Sequence, residues 1–347
     1  MSTLKRRPAA TRSHAPLARR RVIGAGVIAV GLLLTVLASL TFGANPLSIG
    51  ETWAAILSPD GSEAASIVWK LRAPRTLAGI LVGAAFGVAG ALIQALTRNP
   101  IADPGILGVN AGAGFAVTIG IGVFGVTGAS QYVWFAFLGA AAATLLVYLI
   151  GSVGGGMASP VTLVLAGVAL GAVLNGFSTF LSLLDPDTFR AVRTWGLGSI
   201  ENTGLADTLS VLPMLAVGML LAMLVSGALN SMSLGDDLAA TLGVRVVRTR
   251  VLVIVAVTLL AGGGTALTGG IGFVGLMVPH ITRWLFGPDQ RWIIATSALA
   301  APVLVLFADV LGRLIARPGE VEVGVLTAVL GAPVLIALVR GRKVSGL

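Results

Sequence analysis

Long apolar stretches separated by short polar ones form the main pattern along this chain. A helix that crosses the ~30 Å hydrocarbon core of a bilayer needs roughly 20 apolar residues. Stretches of about that length occur ten times, at 22–43, 75–97, 105–124, 131–150, 160–182, 207–229, 249–268, 270–286, 292–314 and 323–340. The pattern predicts an all-α polytopic membrane protein with about ten transmembrane helices, in a membrane domain over residues 22–343.

Glycine and proline interrupt the third and the eighth of these stretches, between Gly105 and Gly128 and between Gly269 and Pro279. A broken helix is tolerated at membrane depth only where protein or a water-filled cavity covers its backbone. We therefore expect both segments to lie in the interior of the helix bundle.

Positive charge is concentrated in the terminal segments and in alternate loops. Ten spans place both termini on one side, and that side would carry 16 of the 23 lysines and arginines, with seven on the other. This bias predicts that both termini are cytoplasmic in the inner (cytoplasmic) membrane. The net charge of +9 is then a topology signal and not a nucleic-acid interface. The basic tail, residues 1–21, is predicted to be disordered, and residues 230–248 form the only long cytoplasmic loop.

Composition argues against several classes of chemistry. The chain is 56% apolar and only 11% charged, which excludes a soluble protein of this length. It has no cysteine and two distant histidines, His14 and His280, so no metal centre or bound cofactor is expected. No phosphate-binding loop and no catalytic constellation occurs, so we expect no enzyme activity in this chain.

Asp309 is the only carboxylate well inside a predicted span. An ion-coupled carrier usually holds several acidic groups in its membrane interior. Asp309 is interpreted either as a structural hydrogen-bonding group between helices or as a participant in a transport cycle. If the protein is a transporter, its energy is expected to come from another subunit.

Three stretches carry a family resemblance. They are RAPRTLAGILVGAAFGVAGALIQALTRNPIADPGILGVNAGAG (72–114), LGDDLAATLGVRVVRTR (234–250), and GIGFVGLMVPHITRWLFGPDQR (270–291) followed by RPGEVEVGVLTAVLGAP (317–333). In this order they resemble the FecCD-type permeases of ABC importers for iron-siderophores, haem and vitamin B12. The resemblance covers nearly the whole chain after residue 65.

The resemblance implies a type II ABC importer permease fold and import of ferric siderophores, which form the most populous branch of the family. Haem and vitamin B12 are the alternative cargoes. The implied partners are a second permease subunit (identical or a paralogue), two ATP-binding subunits that hydrolyse ATP, and an extracytoplasmic binding protein. The alternatives from other functional classes are an ion-coupled secondary carrier and a purely structural or receptor membrane protein.

The loop around Asp237-Leu-Ala-Ala-Thr-Leu-Gly243 is the candidate coupling element. Residues 233–242 can form a short helix that Gly243 ends. Its small residues, Ala239 and Ala240, would permit close docking into a groove on a partner. In the resembled family this loop sits in a cleft of the ATPase, so Asp237, Ala239, Ala240 and Gly243 are the candidate coupling residues. The alternative is a solvated amphipathic loop.

Arg72, Arg75 and Arg313 are predicted at the outer ends of the second and ninth spans. Long cationic side chains at such places often reach from the membrane to the interface. In the family, arginines at matching positions meet acidic residues of the binding protein. The three arginines are therefore candidates either for interfacial anchoring or for docking.

Two short segments at the inner ends of spans two and five resemble the positions that close the family's pathway on the cytoplasmic side. They contain Asn99 and Ile101, and Ser159 and Val161. The neighbouring prolines would impose a non-helical turn on the first segment. The alternative interpretation is that these residues merely form ordinary turns at helix ends.

Asn110 and Asn175 are uncharged polar residues at membrane depth. Hydrogen bonds between helices are the default interpretation for such residues. Lining of a transport pathway is the alternative, and Asn175 on span five is the better candidate for it.

Overall fold

The computed structural model describes residues 15–58, 61–153, 159–201 and 203–340. In these ranges every regular element is a helix, as predicted. The α-helices, in chain order, are α1 (Ala15–Thr41), α2 (Ile49–Leu57), α3 (Glu63–Ser66), α4 (Ala73–Thr97), α5 (Val109–Gly122), α6 (Ala129–Gly151), α7 (Pro160–Leu184), α8 (Pro186–Gly196), α9 (Leu205–Met232), α10 (Asp236–Thr241), α11 (Val246–Val257), α12 (Gly263–Thr268), α13 (Val274–Phe286), α14 (Gln290–Ile315) and α15 (Val323–Arg340). Short π-helical segments, Ile67–Arg72 and Thr258–Gly262, join α3 to α4 and α11 to α12.

Each predicted span contains a helix or a run of helices. Seven stretches in the described ranges are long and apolar enough to cross a bilayer, at 19–41, 63–97, 130–151, 160–184, 205–232, 246–268 and 290–315. The other three predicted spans correspond to the shorter helices α5, α13 and α15. The multi-pass, all-α fold class is thus confirmed.

The two interrupted spans are indeed broken helices. A 3₁₀ turn, Pro104–Leu107, precedes α5, and the irregular segment 269–273 precedes α13. Most of α13 is buried, and Gly90 of α4 meets Gly275 of α13 backbone to backbone. Pro279 cannot donate a hydrogen bond to the Gly275 carbonyl one turn earlier. The Gln94 amide of α4 does so instead, at 3.3 Å, and also donates to the Leu276 carbonyl at 3.0 Å.

Helix α4 is the central helix of the bundle. It packs on α9, α13 and α14 and is buried along most of its length. Glycines allow this close approach, because a Cβ at Gly83 would lie 2.7 Å from the Pro302 Cα atom. Small residues are the usual means of packing helices in a membrane, where lipid is as apolar as the side chains.

Contacts between helix ends define two opposite ends of the bundle. At the inner end, predicted to be cytoplasmic, the start of α1 meets α13, since Arg20 and Arg21 donate to the carbonyls of Trp284 and Phe286 at 2.9 and 3.0 Å. The end of α9 meets the start of α14 at the same end, through Asn230 and Asp289. The outer end holds the end of α1, the start of α4 and the end of α14.

The boundary predicted for the disordered tail is wrong in part. Helix α1 begins at Ala15, so residues 15–21 are helical, and Arg21 also lies 5.1 Å from the centre of the Trp292 ring. The physical reason is that these arginines supply donors and positive charge to the C-terminal end of α13. Residues 1–14 of the tail, and the predicted domain end at 343, lie outside the described residues.

Candidate pathway and coupling surface

Helix α10 forms the centre of the predicted coupling loop at the inner end of the bundle. Two glycines with positive φ flank it, Gly235 at +112° and Gly243 at +85°. The Gly243 N–H donates to the Ala240 carbonyl at 2.9 Å, and the next N–H donates to the Ala239 carbonyl at 3.0 Å. Gly243 therefore ends the helix by the mechanism that the sequence predicted. The helix is shorter than the predicted 233–242.

The two alanines of this helix face opposite ways. Ala240 is exposed, like Asp237, whereas Ala239 is fully buried where α10 packs on α9 and α11. The interpretation of Ala239 as a docking residue thus needs correction. Its small side chain lets α10 lie close to the chain's own helices, since a larger one would lift α10 off α9.

Three leucines form the apolar part of the predicted coupling surface, the exposed side of residues 234–243. Leu234, Leu238 and Leu242 are 62%, 49% and 60% exposed. Their four-residue spacing would align them on one continuous helix. In the structure Leu238 lies on α10, Leu234 precedes the positive-φ Gly235, and Leu242 directly follows the helix. Sequence reasoning did not single out these leucines, although the four-residue spacing was a signal for them.

Asp236, the first residue of α10, is fixed by two arginines. Its Oδ1 atom accepts a hydrogen bond from Arg98 at 2.5 Å, and its Oδ2 atom accepts one from Arg250 of α11. Arg98 also donates to the Met232 carbonyl at 2.8 Å. Sequence reasoning chose the neighbouring Asp237, which has an exposed side chain.

The two candidate gate segments lie at helix ends. Asn99 and Ile101 follow α4, and the Asn99 side-chain oxygen accepts the Ile101 N–H at 3.1 Å. Ser159 caps α7 by accepting the Thr162 N–H at 3.1 Å, and Val161 lies in its first turn. Ile101 and Val161 are both exposed. The closing role of these residues stays a prediction.

Asn110 and Asn175 line the same cavity. It has a volume of about 480 Å³ and lies between α5, α7, α8 and α12. The Asn110 side-chain oxygen accepts a hydrogen bond from Thr265 of α12 at 3.0 Å, so Asn110 joins two helices and also faces the cavity. Asn175 is exposed halfway along α7. The remaining polar lining comes mainly from Ser178, Thr179, Ser182 and Arg193.

The outer arginines are buried rather than interfacial. Arg72, Arg75 and Arg313 are 4%, 8% and 2% exposed. Arg72 donates to the carbonyls of Leu40 and Thr41 at 2.8 and 2.6 Å, and Arg313 donates to those of Ser39 and Phe42 at 3.1 and 3.0 Å. The carbonyls of Ser39, Leu40 and Thr41 end α1 and have no partner within the helix, and Phe42 follows directly. The interpretation as interfacial anchors is therefore wrong, because two of the arginines cap a neighbouring helix.

Asp309 connects the arginines to one another. Its Oδ1 atom accepts from the Nε and Nη2 atoms of Arg75 at 3.0 and 2.6 Å, and its Oδ2 atom accepts from Arg313. Arg75 also pairs with Glu320 at 2.6 Å. Asp309 thus bridges α4 and α14, which agrees with its structural interpretation. Docking of a binding protein by these arginines stays a prediction.

A cavity of about 180 Å³ opens beside this network and is lined by Arg72, Arg75, Arg313, Glu201 and Glu320, among others. Burial, and then the nearby Glu320 carboxylate, raises the pKa of Glu201 in the loop before α9. The outer end therefore holds an acid that is protonated more readily than an ordinary surface glutamate.

Comparison of this sequence with known protein families identifies the family of the chain. Residues 31–341 match the FecCD transport family. The chain belongs to this family. The predicted resemblance is confirmed, and the protein is accordingly a multi-pass transport permease.

The relatives of this FecCD family member include several iron-transport permeases. The chain is 49% identical over 329 residues to the ferric enterobactin transport system permease protein FepD of Escherichia coli (strain K12), covering 94% of this chain and 97% of that protein. It is 39% identical over 308 residues to the Fe(3+)-citrate import system permease protein YfmD of Bacillus subtilis (strain 168), covering 88% and 91%. A chain from an inward-facing metal-chelate type ABC transporter matches with a TM-score of 0.81 at 26% identity, covering 91% of this chain and 98% of that one.

Proposed function

We propose that this FecCD permease is the membrane subunit of an ATP-driven importer that carries ferric siderophores into the cytoplasm, with ferric enterobactin as the first candidate cargo. The identity of 49% to the ferric enterobactin permease supports this choice. Identities to permeases for ferric citrate and ferric hydroxamates are lower, at 39% and 37%. Haem and vitamin B12 remain the alternative cargoes to be tested beside it.

The cavity beside α7 is the observation that carries this proposal. Asn175 is a polar side chain exposed halfway along an apolar helix, beside further hydroxyl groups. An amide that faces lipid without a hydrogen-bonding partner costs several kcal/mol, on the order of 2–7. This face of α7 is therefore expected to border a water-filled passage. One chain supplies only one wall of it, and a second permease subunit, identical or a paralogue, would supply the other.

The leucines of the coupling surface support an external source of energy. Their half-exposed side chains would each contribute about 1 kcal/mol when a partner covers them. The proposed partner is a pair of cytoplasmic ATP-binding subunits, which would hydrolyse ATP in place of this chain. Asp237 and Ala240 would lie at that contact, and Gly243 would hold the helix in its docked shape. Asn99, Ile101, Ser159 and Val161 would close the passage toward the cytoplasm.

An extracytoplasmic binding protein would deliver the cargo to the outer end. Arg72, Arg75 and Arg313 lie around the small cavity there, which supports this end as the docking face. In the described conformation their hydrogen bonds are made within the chain, so docking by these side chains would require partial opening of the network. Both termini are proposed to be cytoplasmic, in the inner membrane.

The test is uptake of radioactive iron by cells that lack the gene and by complemented cells. Ferric enterobactin, ferric citrate, a ferric hydroxamate, haem iron and labelled cobalamin are offered separately. Loss of ferric enterobactin uptake, restored by the gene, is the expected result. Loss of a different cargo would keep the transport mechanism and correct the substrate.

The energy source is tested in the same cells. Uptake is measured after ATP depletion and, separately, after dissipation of the proton gradient with ATP maintained. ATP-driven import predicts that only ATP depletion stops uptake. The opposite pattern would establish an ion-coupled carrier and contradict the proposed ATPase partner.

A further inference from the structure

Two neighbouring aspartates begin α10, and within the described ranges the first is the one with ion-pair partners. Asp236 uses both carboxylate oxygens, one for Arg98 and one for Arg250. Its side chain is about one-third exposed. Asp237 has the same charge and an exposed side chain on the same helix, and among the described residues it makes no ion pair. Asp236 therefore connects α10 to other parts of the chain, whereas Asp237 contributes a charge to the exposed surface.

Arg98 joins this carboxylate to the end of α4. It is the residue directly after α4, and it has a φ of +51°, a value that non-glycine residues rarely adopt. Its guanidinium is held by the Asp236 carboxylate and by the Met232 carbonyl at the end of α9. The next residues, Asn99 to Ile101, are the first proposed gate segment. The coupling helix is thus connected to this segment by the contact between Asp236 and Arg98 and by the peptide bond between Arg98 and Asn99.

Arg250 provides the second connection. It lies on α11, which continues through the π-helical segment Thr258–Gly262 into α12, where Thr265 borders the polar cavity. Charge-assisted hydrogen bonds are among the stronger polar contacts in proteins, and their geometry is directional. A displacement of α10 would therefore pull on α4 and α11 together.

We propose that Asp236 is a positioning residue that transmits movement of the coupling helix to the gate segment through Arg98. The inference rests on the proposed function, because it assumes that an ATP-binding subunit moves α10. The positive-φ glycines set the two ends of α10, and the buried Ala239 packs the helix on α9 and α11. Replacement of the carboxylate should therefore loosen the connection without unfolding the loop.

The first test compares transport with ATP hydrolysis. The permease complex is purified with its ATP-hydrolysing subunits, and Asp236→Asn and Asp236→Glu are made in it. Asp236→Asn is expected to lower uptake of ferric enterobactin per ATP hydrolysed by at least ~10-fold, the effect of losing about 1.4 kcal/mol of coupling. The ATP-hydrolysing subunits should still copurify, and Asp236→Glu should recover most of the transport. Uptake equal to wild type, or loss of the ATP-hydrolysing subunits, would overturn the proposal.

The second test does not depend on the cargo. Because the chain has no cysteine, spin labels can be placed at Ile101→Cys and Thr241→Cys alone. Pulsed electron resonance then measures the distance between the gate segment and α10. The distribution should be narrow with Asp236 present and clearly broader with Asp236→Asn. Asp237→Asn, which removes the same charge from the same helix, should leave it narrow.

A narrow distribution in the Asp236→Asn protein would overturn the positioning role whatever the cargo is. Failure of wild-type cells to take up any of the offered cargoes would instead contradict the proposed function, and the label distances would still decide the role of Asp236. The two failures are therefore distinguishable.

Discussion

The contact between Gly90 and Gly275 allows a quantitative test of the packing of α4 on α13. A Cβ atom at position 90 would lie 1.9 Å from the Gly275 carbonyl oxygen and 2.5 Å from its Cα atom. Both neighbours are backbone atoms, so no side chain can rotate away. The helices would have to separate by about 1.5 Å to restore an ordinary contact distance.

Gly90→Ala should therefore destabilise the bundle. Overpacking of a tight core costs about 1–3 kcal/mol. Separation of the helices would also stretch the hydrogen bonds that Gln94 donates to the Gly275 and Leu276 carbonyls, and loss of partners for such buried groups costs about 1–3 kcal/mol. The expected loss of folding free energy is about 3 kcal/mol. It outweighs the ~1 kcal/mol by which alanine favours a helix over glycine.

The assay is thermal unfolding of the detergent-solubilised protein, followed by size-exclusion chromatography with fluorescence detection. For a chain of this size the melting temperature should fall by roughly 5 °C. Gly26→Ala is the matched control, because Gly26 is also inside a helix but has no atom within 4 Å of the added Cβ. The packing argument is refuted if Gly90→Ala melts within about 1 °C of the wild type while the control behaves as expected.

Three further predictions concern the outer network and the coupling loop. Asp309→Asn should lower stability by about 3 kcal/mol, because it removes the carboxylate that pairs with the buried Arg313 and leaves Arg75 with Glu320 alone; a melting temperature equal to that of the wild type would contradict this structural role. Glu201→Gln should slightly stabilise the protein at pH 8, where partial burial and the nearby Glu320 carboxylate make the ionised form of this exposed side chain unfavourable. Wild-type stability falls as the pH rises through the raised pKa, so the difference should vanish below about pH 4. The same difference in melting temperature at both pH values would argue against that cause. Gly243→Asp should abolish ATP-driven uptake and leave membrane insertion intact, because a φ of +85° is unfavourable for a side chain; unchanged uptake measured beside normal membrane levels would contradict the coupling assignment.

Most of the fold followed from local properties of the sequence. Each of the ten apolar stretches became helical because a chain in lipid must satisfy its backbone hydrogen bonds internally. The breaks before α5 and α13 followed from glycine and proline, and the end of α10 followed from Gly243. The family followed from motifs whose order spans most of the chain. The start of α1 was placed too late because its basic first turns are anchored on α13, a contact between residues far apart in sequence.

The candidate sites were predictable only where a residue's role depends on its type and on the residues next to it in the sequence. Asn110 and Asn175 were predicted as polar residues within apolar spans, but the cavity that both line depends on how α5, α7 and α12 pack. Composition alone could not distinguish Asp236 from Asp237, because their surroundings differ only through Arg98 and Arg250 from other helices.

Which segments are helical, which of them are broken, and to which family the chain belongs could all be predicted from the sequence. These properties depend on hydrophobicity, backbone preferences and local motifs. The capping of α1 by Arg72 and Arg313, the inward position of Ala239, and the contact between Asp236 of α10 and Arg98 at the end of α4 became visible only in the folded chain. The physical reason is that these roles depend on atoms from distant parts of the chain, and a side chain's partner is set by the packing of helices rather than by its sequence neighbours.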